Sequence, residues 1–255
     1  MKRTAIKCRM SFGDCMFTTA LTRAVAKRNR DGKVSVFTDT KYSDAFYNLP
    51  WVSRITCDDR HLAADEQMLD VTPTDHFWHY NSTRPGFCLF DTQLERARDA
   101  GIPAYDQRPI FRPTEQERLV AQQFAHDDRP LVAIESAYFS GQSWSTVADM
   151  MAVVEHYAPT HRIAWLSNQD CPRHSAVDNC LRFSRRELIQ ILSHCEMLYT
   201  TGSGFFCASL AHSPGPRTIC LWRDDTYHYE ARLHQLGWRS IEWVHDRAEL
   251  EHTLR

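Results

Sequence analysis

Neither of the glycine-built nucleotide fingerprints occurs in this 255-residue chain. No G-x-G-x-x-G follows a strand, as dinucleotide enzymes require, and no G-x-x-x-x-G-K-[ST] loop is present to cradle phosphates. No apolar run approaches the roughly 18 residues that span a bilayer. The first ten residues carry Lys2, Arg3, Lys7 and Arg9 with no apolar stretch behind them, which is not the pattern of a secretory leader. An excess of either charge is missing too. The 30 basic side chains balance 32 acidic ones, a net −2 that argues against a dedicated nucleic-acid binder. Nine cysteines, an odd number with no C-x-x-C pair, write neither a disulfide framework nor a zinc knuckle, so reduced, mostly buried thiols of a cytoplasmic protein are expected. Asn81-Ser82-Thr83 then fits a glycosylation acceptor by accident.

What is present is alternation. Short runs rich in branched and aromatic residues at 4–8, 33–38 and 53–57 read as strands, with helices expected at 15–28 and 42–48, the second stopped by Pro50. That is the βαβα order of a parallel sheet in the α/β class. Helices are expected at 88–100, ended by Gly101, and at 114–126, opened by Thr114 with Glu117 three residues on. A second series follows, with strands at 131–136, 162–167, 197–201, 217–222 and 238–244 and helices at 145–157, 184–195, 204–212 and 247–254. The polar, proline-ended stretch His126 to Pro130 reads as a linker, which divides the chain into domains at 1–126 and 130–255.

Three turns between a strand and a helix could carry chemistry. The first, Ser11-Phe12-Gly13-Asp14, sets a carboxylate at a helix opening on the carboxyl edge of the sheet, where ligands of open α/β sheets bind. Asp14 there either caps the helix or accepts a proton from a hydroxyl. The second, Glu135 to Trp144, offers Ser136, Ser140 and Gly141, small residues that let backbone N–H groups approach an anion. In the third, Gly202 and Gly204 flank Ser203 at a helix start, a plausible diphosphate cradle that is also a common tight turn. Cys207 reads as a thiol buried beside Phe205 and Phe206 rather than a reactive one. Among 13 histidines, His76 and His79 share a helical face but lack a third ligand, so no metal is expected. The run Lys27-Arg28-Asn29-Arg30 reads as a solvated helix end.

Taken together, these turns resemble glycosyltransferase family 9, the heptosyltransferase-like enzymes of bacterial cell-surface polysaccharides. Ser11-Phe12-Gly13-Asp14 followed by Thr18-Thr19-Ala20-Leu21 is similar to the family's serine-x-glycine-aspartate and threonine-x-proline-alanine-leucine opening. Asn48-Leu49-Pro50-Trp51-Val52 loosely matches its asparagine-proline-x-valine corner. Residues 131–144 match its strand, small-residue loop and lysine-x-tryptophan, and 188–214 its aspartate-serine/threonine-glycine-x-x-histidine turn. The chain departs from the family at Gln142, where the lysine stands, at Gly202 for the aspartate and at Cys207 for the histidine.

The resemblance implies a GT-B architecture of two Rossmann-like domains facing across a cleft, the first receiving a saccharide acceptor and the second a nucleotide-sugar donor. It implies inverting transfer with no metal and no other cofactor, and with Asp14 as the base. Ser11, Gly13 and Thr18 would lie on the acceptor side. Ser136, Tyr138, Ser140, Gln142, Gly202, Ser203, Gly204, Phe205 and Cys207 would lie on the donor side. No nucleic acid is expected as a partner, and no transmembrane segment, which leaves peripheral membrane contact open. The alternative reading, favoured by the three departures, is a non-catalytic module of the same fold that binds a nucleotide-sugar or glycan or serves as a partner subunit.

Overall fold

The protein is described here by a computed structural model covering residues 2–9, 11–72, 89–136, 143–166, 171–223, 233–234, 238 and 241–255. Two compact units result, one built on Met1–Arg112 and the other on Pro113–Thr226 with Leu233–Arg255.

The first unit is a parallel sheet of β1 (Arg3–Lys7), β2 (Val34–Phe37), β3 (Val52–Thr56) and β4 (Glu66–Asp70) in the order β3-β2-β1-β4. Helices α1 (Phe12–Ala26) and α2 (Leu89–Asp99) accompany it. In place of the helix expected at 42–48 there is a 3₁₀ turn at Thr40–Ala45; Asn48, at φ 61°, lies in the left-handed region and ends any helical course before Pro50. Strand β4 escaped the pattern because Glu-Gln-Met-Leu-Asp holds none of the branched or aromatic residues that mark strands.

Helix α1 is buried on nearly every side, and its threonines account for how a helix with so many of them tolerates that. Each hydroxyl donates back along the helix and accepts from another segment. Thr18 donates to the Asp14 carbonyl (2.8 Å) and accepts from Gln93 Nε2 of α2 (2.9 Å). Thr19 donates to the Met16 carbonyl (2.6 Å) and accepts from the Ile110 N–H (2.7 Å). Thr22 donates to the Thr19 carbonyl (2.6 Å) and accepts from Trp51 Nε1 (2.8 Å). At its end the basic run also has a partner: Arg28 reaches the Ala100 and Gly101 carbonyls and caps α2 rather than its own helix.

The other face of this sheet is charged. Register places Arg3, Lys7, Ser35, Arg54, Glu66 and Asp70 on it together. Because β3 and β4 are opposite edges, their short connection must cross β2 and β1, and a right-handed crossover lies on the face away from α1. The face holds that connection through ion pairs, Lys7 to Asp59 (2.9 Å), Arg9 to Asp59 (2.7 Å) and Arg3 to Asp65 (3.0 Å).

The second unit is a six-stranded parallel sheet, β10 (Ile241–Val244), β9 (Arg217–Leu221), β8 (Met197–Thr200), β5 (Leu131–Ile134), β6 (Arg162–Trp165) and β7 (Val177–Asn179), in that spatial order. Val132 and Ile134 face α4 (Val147–Tyr157) and α7 (Arg247–Thr253), while Leu131 and Ala133 face α3 (Glu115–Ala125) and α5 (Arg185–Leu192). Each face carries its own apolar cluster, which is why β5 reads as a continuous hydrophobic run. Helix α6 (Gly204–Ser209) follows β8.

The division between units falls at Arg112/Pro113, not at the linker expected near 126–130. Helix α3 therefore belongs to the second unit. Its Ala121 and Phe124 join the α5-side cluster, and Glu117 makes a bidentate pair with Arg186 of α5 at 2.7 and 3.0 Å. The same Glu117 accepts from the Thr114 N–H (2.7 Å) in the capping box anticipated from the sequence.

Candidate functional site

In each sheet the strand order reverses at one point, between β1 and β4 in the first unit and between β5 and β8 in the second. Helices leave the two sides of such a point on opposite faces and open a crevice at the carboxyl ends of the strands. Near each reversal point lies a buried carboxylate.

In the first unit this is Asp14, 8% exposed, in the third position of α1. The helix is capped by Ser11, whose hydroxyl accepts from the Asp14 N–H (3.3 Å), so Asp14 is not itself the cap. Ser11, through its side chain and backbone, favours the charged form of this carboxylate. Burial raises the carboxyl from 3.8 to about 6, with the Ser11 bonds opposing that rise. Gly13 is buried beside it. Thr18 is fully buried, with its hydroxyl committed to Asp14, Gln93 and Cys8, so it anchors the helix and is closed to a substrate. Cys8 and Cys15 lie under the turn with sulfurs 3.9 Å apart, both buried as the cysteine pattern predicts.

In the second unit the carboxylate is Glu135, which directly follows β5 and is 6% exposed. It accepts from Thr200 Oγ1 at 2.6 Å and from Ser203 Oγ. Burial again dominates and raises it from 4.5 to about 7, against the pull of those two hydroxyls. Glu135 and Thr200 were not among the expected site residues. A lone acid ending a buried apolar strand was the available signal for Glu135; its partners, 65 and 68 residues away, gave none.

The predicted donor-side residues divide three ways. Gly202, Ser203, Gly204 and Phe205 do form the turn from β8 into α6: Ser203 caps the helix and accepts from the Phe205 N–H (3.1 Å). Gly202 has φ 77°, and a Cβ there would run into the Trp222 ring, so glycine is required twice over. Cys207 and Ser136 are buried nearby, each 8% exposed. Tyr138, Ser140 and Gln142, like His76 and His79, lie outside the described residues.

The N-terminus of α4 is occupied by its own capping box, Thr146 with Asp149, and Asp149 also pairs with Arg247 at 2.7 Å. Asp149 is held below the ordinary carboxylate value: burial would raise it, and the bonds to Thr146 and Arg247 outweigh that. Among the described residues no group of three or more His, Cys, Asp or Glu is placed to hold a metal, and no helix is long and apolar enough to cross a membrane.

Neither a protein-family model nor a curated protein sequence matches the chain. Solved structures do. A glycosyl transferase family 9 protein from Veillonella parvula superposes with a TM-score of 0.67 at 11% identity, over 95% of this chain and 85% of that one. This is the fold of the family 9 glycosyltransferases. An E. coli ADP-heptose heptosyltransferase II matches at 0.55 and 12% identity, over 98% of both chains. The fold also extends to other chemistry, since a putative UDP-N-acetylglucosamine 2-epimerase from Listeria monocytogenes matches at 0.53 and 9% identity, over 100% of this chain and 88% of that one. The α/β expectation and the likeness of the turns to family 9 thus hold at the level of fold.

Proposed function

We propose that the protein is a glycosyltransferase that moves a sugar from a nucleotide-sugar to a hydroxyl of a saccharide acceptor of a bacterial cell-surface glycan. Transfer inverts the anomeric carbon and needs no metal. The observation that carries this reading is Asp14, a buried carboxylate at the reversal point of the first sheet whose pKa of about 6 suits proton acceptance near neutrality. Asp14 takes the proton of the acceptor hydroxyl while that oxygen attacks, and the nucleoside diphosphate leaves from the opposite face. The donor belongs to the second unit, at the carboxyl ends of β5 and β8 beside Glu135, Ser136 and residues 202–205. Neighbours named for nucleotide-sugars, the heptosyltransferase II and the 2-epimerase among them, support a ligand of that class. The reading places the reaction in the cytoplasm, with peripheral contact to the membrane where such acceptors are built.

A second reading, a binding module or partner subunit without catalysis, is favoured by a specific observation. The Ser203 hydroxyl is held by Glu135, the N-terminus of α4 is closed by Asp149, and the lysine position is Gln142. The two readings separate in one experiment. A thermal-shift panel of nucleotide-sugars first identifies the donor, since a ligand of the native state raises stability with its affinity. Transfer by Asp14→Asn is then compared with wild type. A loss of about 10²-fold or more with donor binding kept supports the enzyme; donor binding with no transfer by wild type, on any saccharide acceptor, leaves the binding module.

A further inference from the structure

The donor crevice presents a contradiction. The reading above sends an anionic diphosphate to the reversal point between β5 and β8, and the group that lines it is a carboxylate. Glu135 and Thr200 project from neighbouring strands to the same side of the sheet, and Ser203 closes over them from the turn. Both hydroxyls point their protons at Glu135, so neither is offered to a ligand. The elements around it supply no countercharge among the described residues. Strand β6 ends in Leu166, β8 in Thr200 and Thr201, the turn brings Gly202 and Ser203, and α6 contributes Cys207 as its one titratable group. A charge buried in such a place without a cation favours losing its charge over meeting a second anion.

Resting on the donor site proposed above, we infer that Glu135 is a ligand-binding residue that is protonated when the donor is bound: the diphosphate enters together with one proton from solvent. The neutral carboxylic acid removes the repulsion and turns Glu135 from acceptor into donor. Ser203, which keeps exposed surface, is then free to turn its hydroxyl proton toward a phosphate oxygen, while Thr200 stays buried beneath it. No bond to carbon or phosphorus changes in this step, and the proton returns to solvent when the nucleotide leaves. The burial that brings Glu135 to about 7 sets the range in which the effect is read.

The probe is ADP-glucose, with UDP-N-acetylglucosamine as the second nucleotide; both are diphosphate diesters that do not themselves titrate near neutrality. Affinity is measured by calorimetry from pH 6 to 8.5 with the full chain and with Glu135→Gln, whose amide is neutral and donates at every pH. Expected is a wild-type affinity that falls about 15-fold between pH 7 and 8.5, as one-proton linkage dictates for a group titrating at about 7. Glu135→Gln should bind as tightly as wild type at pH 6 and stay flat. At pH 8, calorimetry in two buffers of different ionisation heat should register close to one proton taken up per ligand by wild type and none by the variant. Melting curves confirm that the variant folds. A flat wild-type profile overturns the inference and leaves the donor site standing. An equal slope in both proteins assigns the proton to another group and also overturns it. Failure of both proteins to bind either nucleotide at any pH overturns the donor site itself, and the inference with it.

Discussion

Asp14 and Glu135 each lie near the reversal point of their own sheet, one in the first turn of a helix and the other at the end of a strand, and both are raised by burial, yet they are held in opposite ways. Asp14 is fixed by the residue three positions before it, within one turn of one helix, where the positive end of the macrodipole also favours its ionised form. Glu135 is fixed by two hydroxyls from the neighbouring strand and the turn that follows it, 65 and 68 residues along the chain. The first arrangement leaves a carboxylate poised to take a proton; the second leaves one that resists carrying charge. The same contrast runs through the framework. The first unit covers one sheet face with a short connection tied down by half-exposed ion pairs, while the second covers both faces with helices and buries its principal pair.

The largest test of that contrast is the buried pair. The side chains of Arg186 and Glu117 are 7% and 11% exposed, and the Glu117 carboxyl ends below its ordinary value because Arg186 and Thr114 outweigh the effect of burial. Arg186→Met strands Glu117 without its cation and should cost the second unit about 3–5 kcal/mol. Denaturant unfolding followed in parallel on the Trp51 and Trp165 environments should show the second unit melting first; two coincident transitions unmoved from wild type would break the comparison.

Next come the carboxylates themselves. Their folded values, about 6 and about 7, lie above 3.8 and 4.5, so the folded state binds the proton more tightly than the unfolded chain. The stability linked to them is therefore complete below pH 4 and is lost as pH rises through 6 and 7. Asp14→Asn and Glu135→Gln should match wild type at pH 4 and exceed it above pH 8 by up to roughly 3 kcal/mol each. A variant less stable than wild type at pH 8 would show that its carboxylate is stabilising when charged.

A smaller effect separates two glycines that share a left-handed backbone. Gly202, at φ 77°, has the Trp222 ring against it, whereas Gly32 in the first unit, at φ 67°, faces nothing within 4 Å. Alanine at Gly32 meets only the backbone cost of about 1–2 kcal/mol. Alanine at Gly202 adds an overlap worth about 1–3 kcal/mol more and displaces the turn between β8 and α6. Equal losses in melting experiments would mean that the Trp222 ring yields freely.

How much of this could be read beforehand follows from the range of the interactions. The capping box at Thr114 and the apolar run of β5 are local patterns, and the structure reproduces them; at the first turn the cap is Ser11 and not Asp14. Strand β7, of three residues, and β4 were missed because an edge strand needs little apolar pattern of its own when a neighbour supplies the register. The unit boundary was misplaced because a polar stretch resembles a linker, while the ion pair joining α3 to α5 spans 69 residues. Glu135 went unselected for the same reason. Nothing near it in the chain announces Thr200 and Ser203, which only the pairing of β5 with β8 brings to it.

The smallest effect expected is on the charged face of the first sheet. Lys7 sits between Asp59 at 2.9 Å and Asp70 at 3.5 Å, with side chains 23%, 46% and 46% exposed. Its ammonium is shifted upward, chiefly by the hydrogen bond it donates to Asp59. Water reaches all three groups, so the attraction is screened and offset by the entropy of fixing a long side chain. Lys7→Met should therefore change stability by no more than about 1 kcal/mol, and added salt should shrink even that difference. Arg9 also holds Asp59, and Arg3 holds Asp65, so the connection between β3 and β4 keeps its anchors when Lys7 is lost. Hydrogen exchange along β4 is the sensitive measurement: protection of Gln67 and Leu69, whose N–H groups face β1, should persist in Lys7→Met. Its collapse, with the rest of the sheet intact, would show that one exposed pair holds this crossover in place and that the two units differ less than their burial suggests.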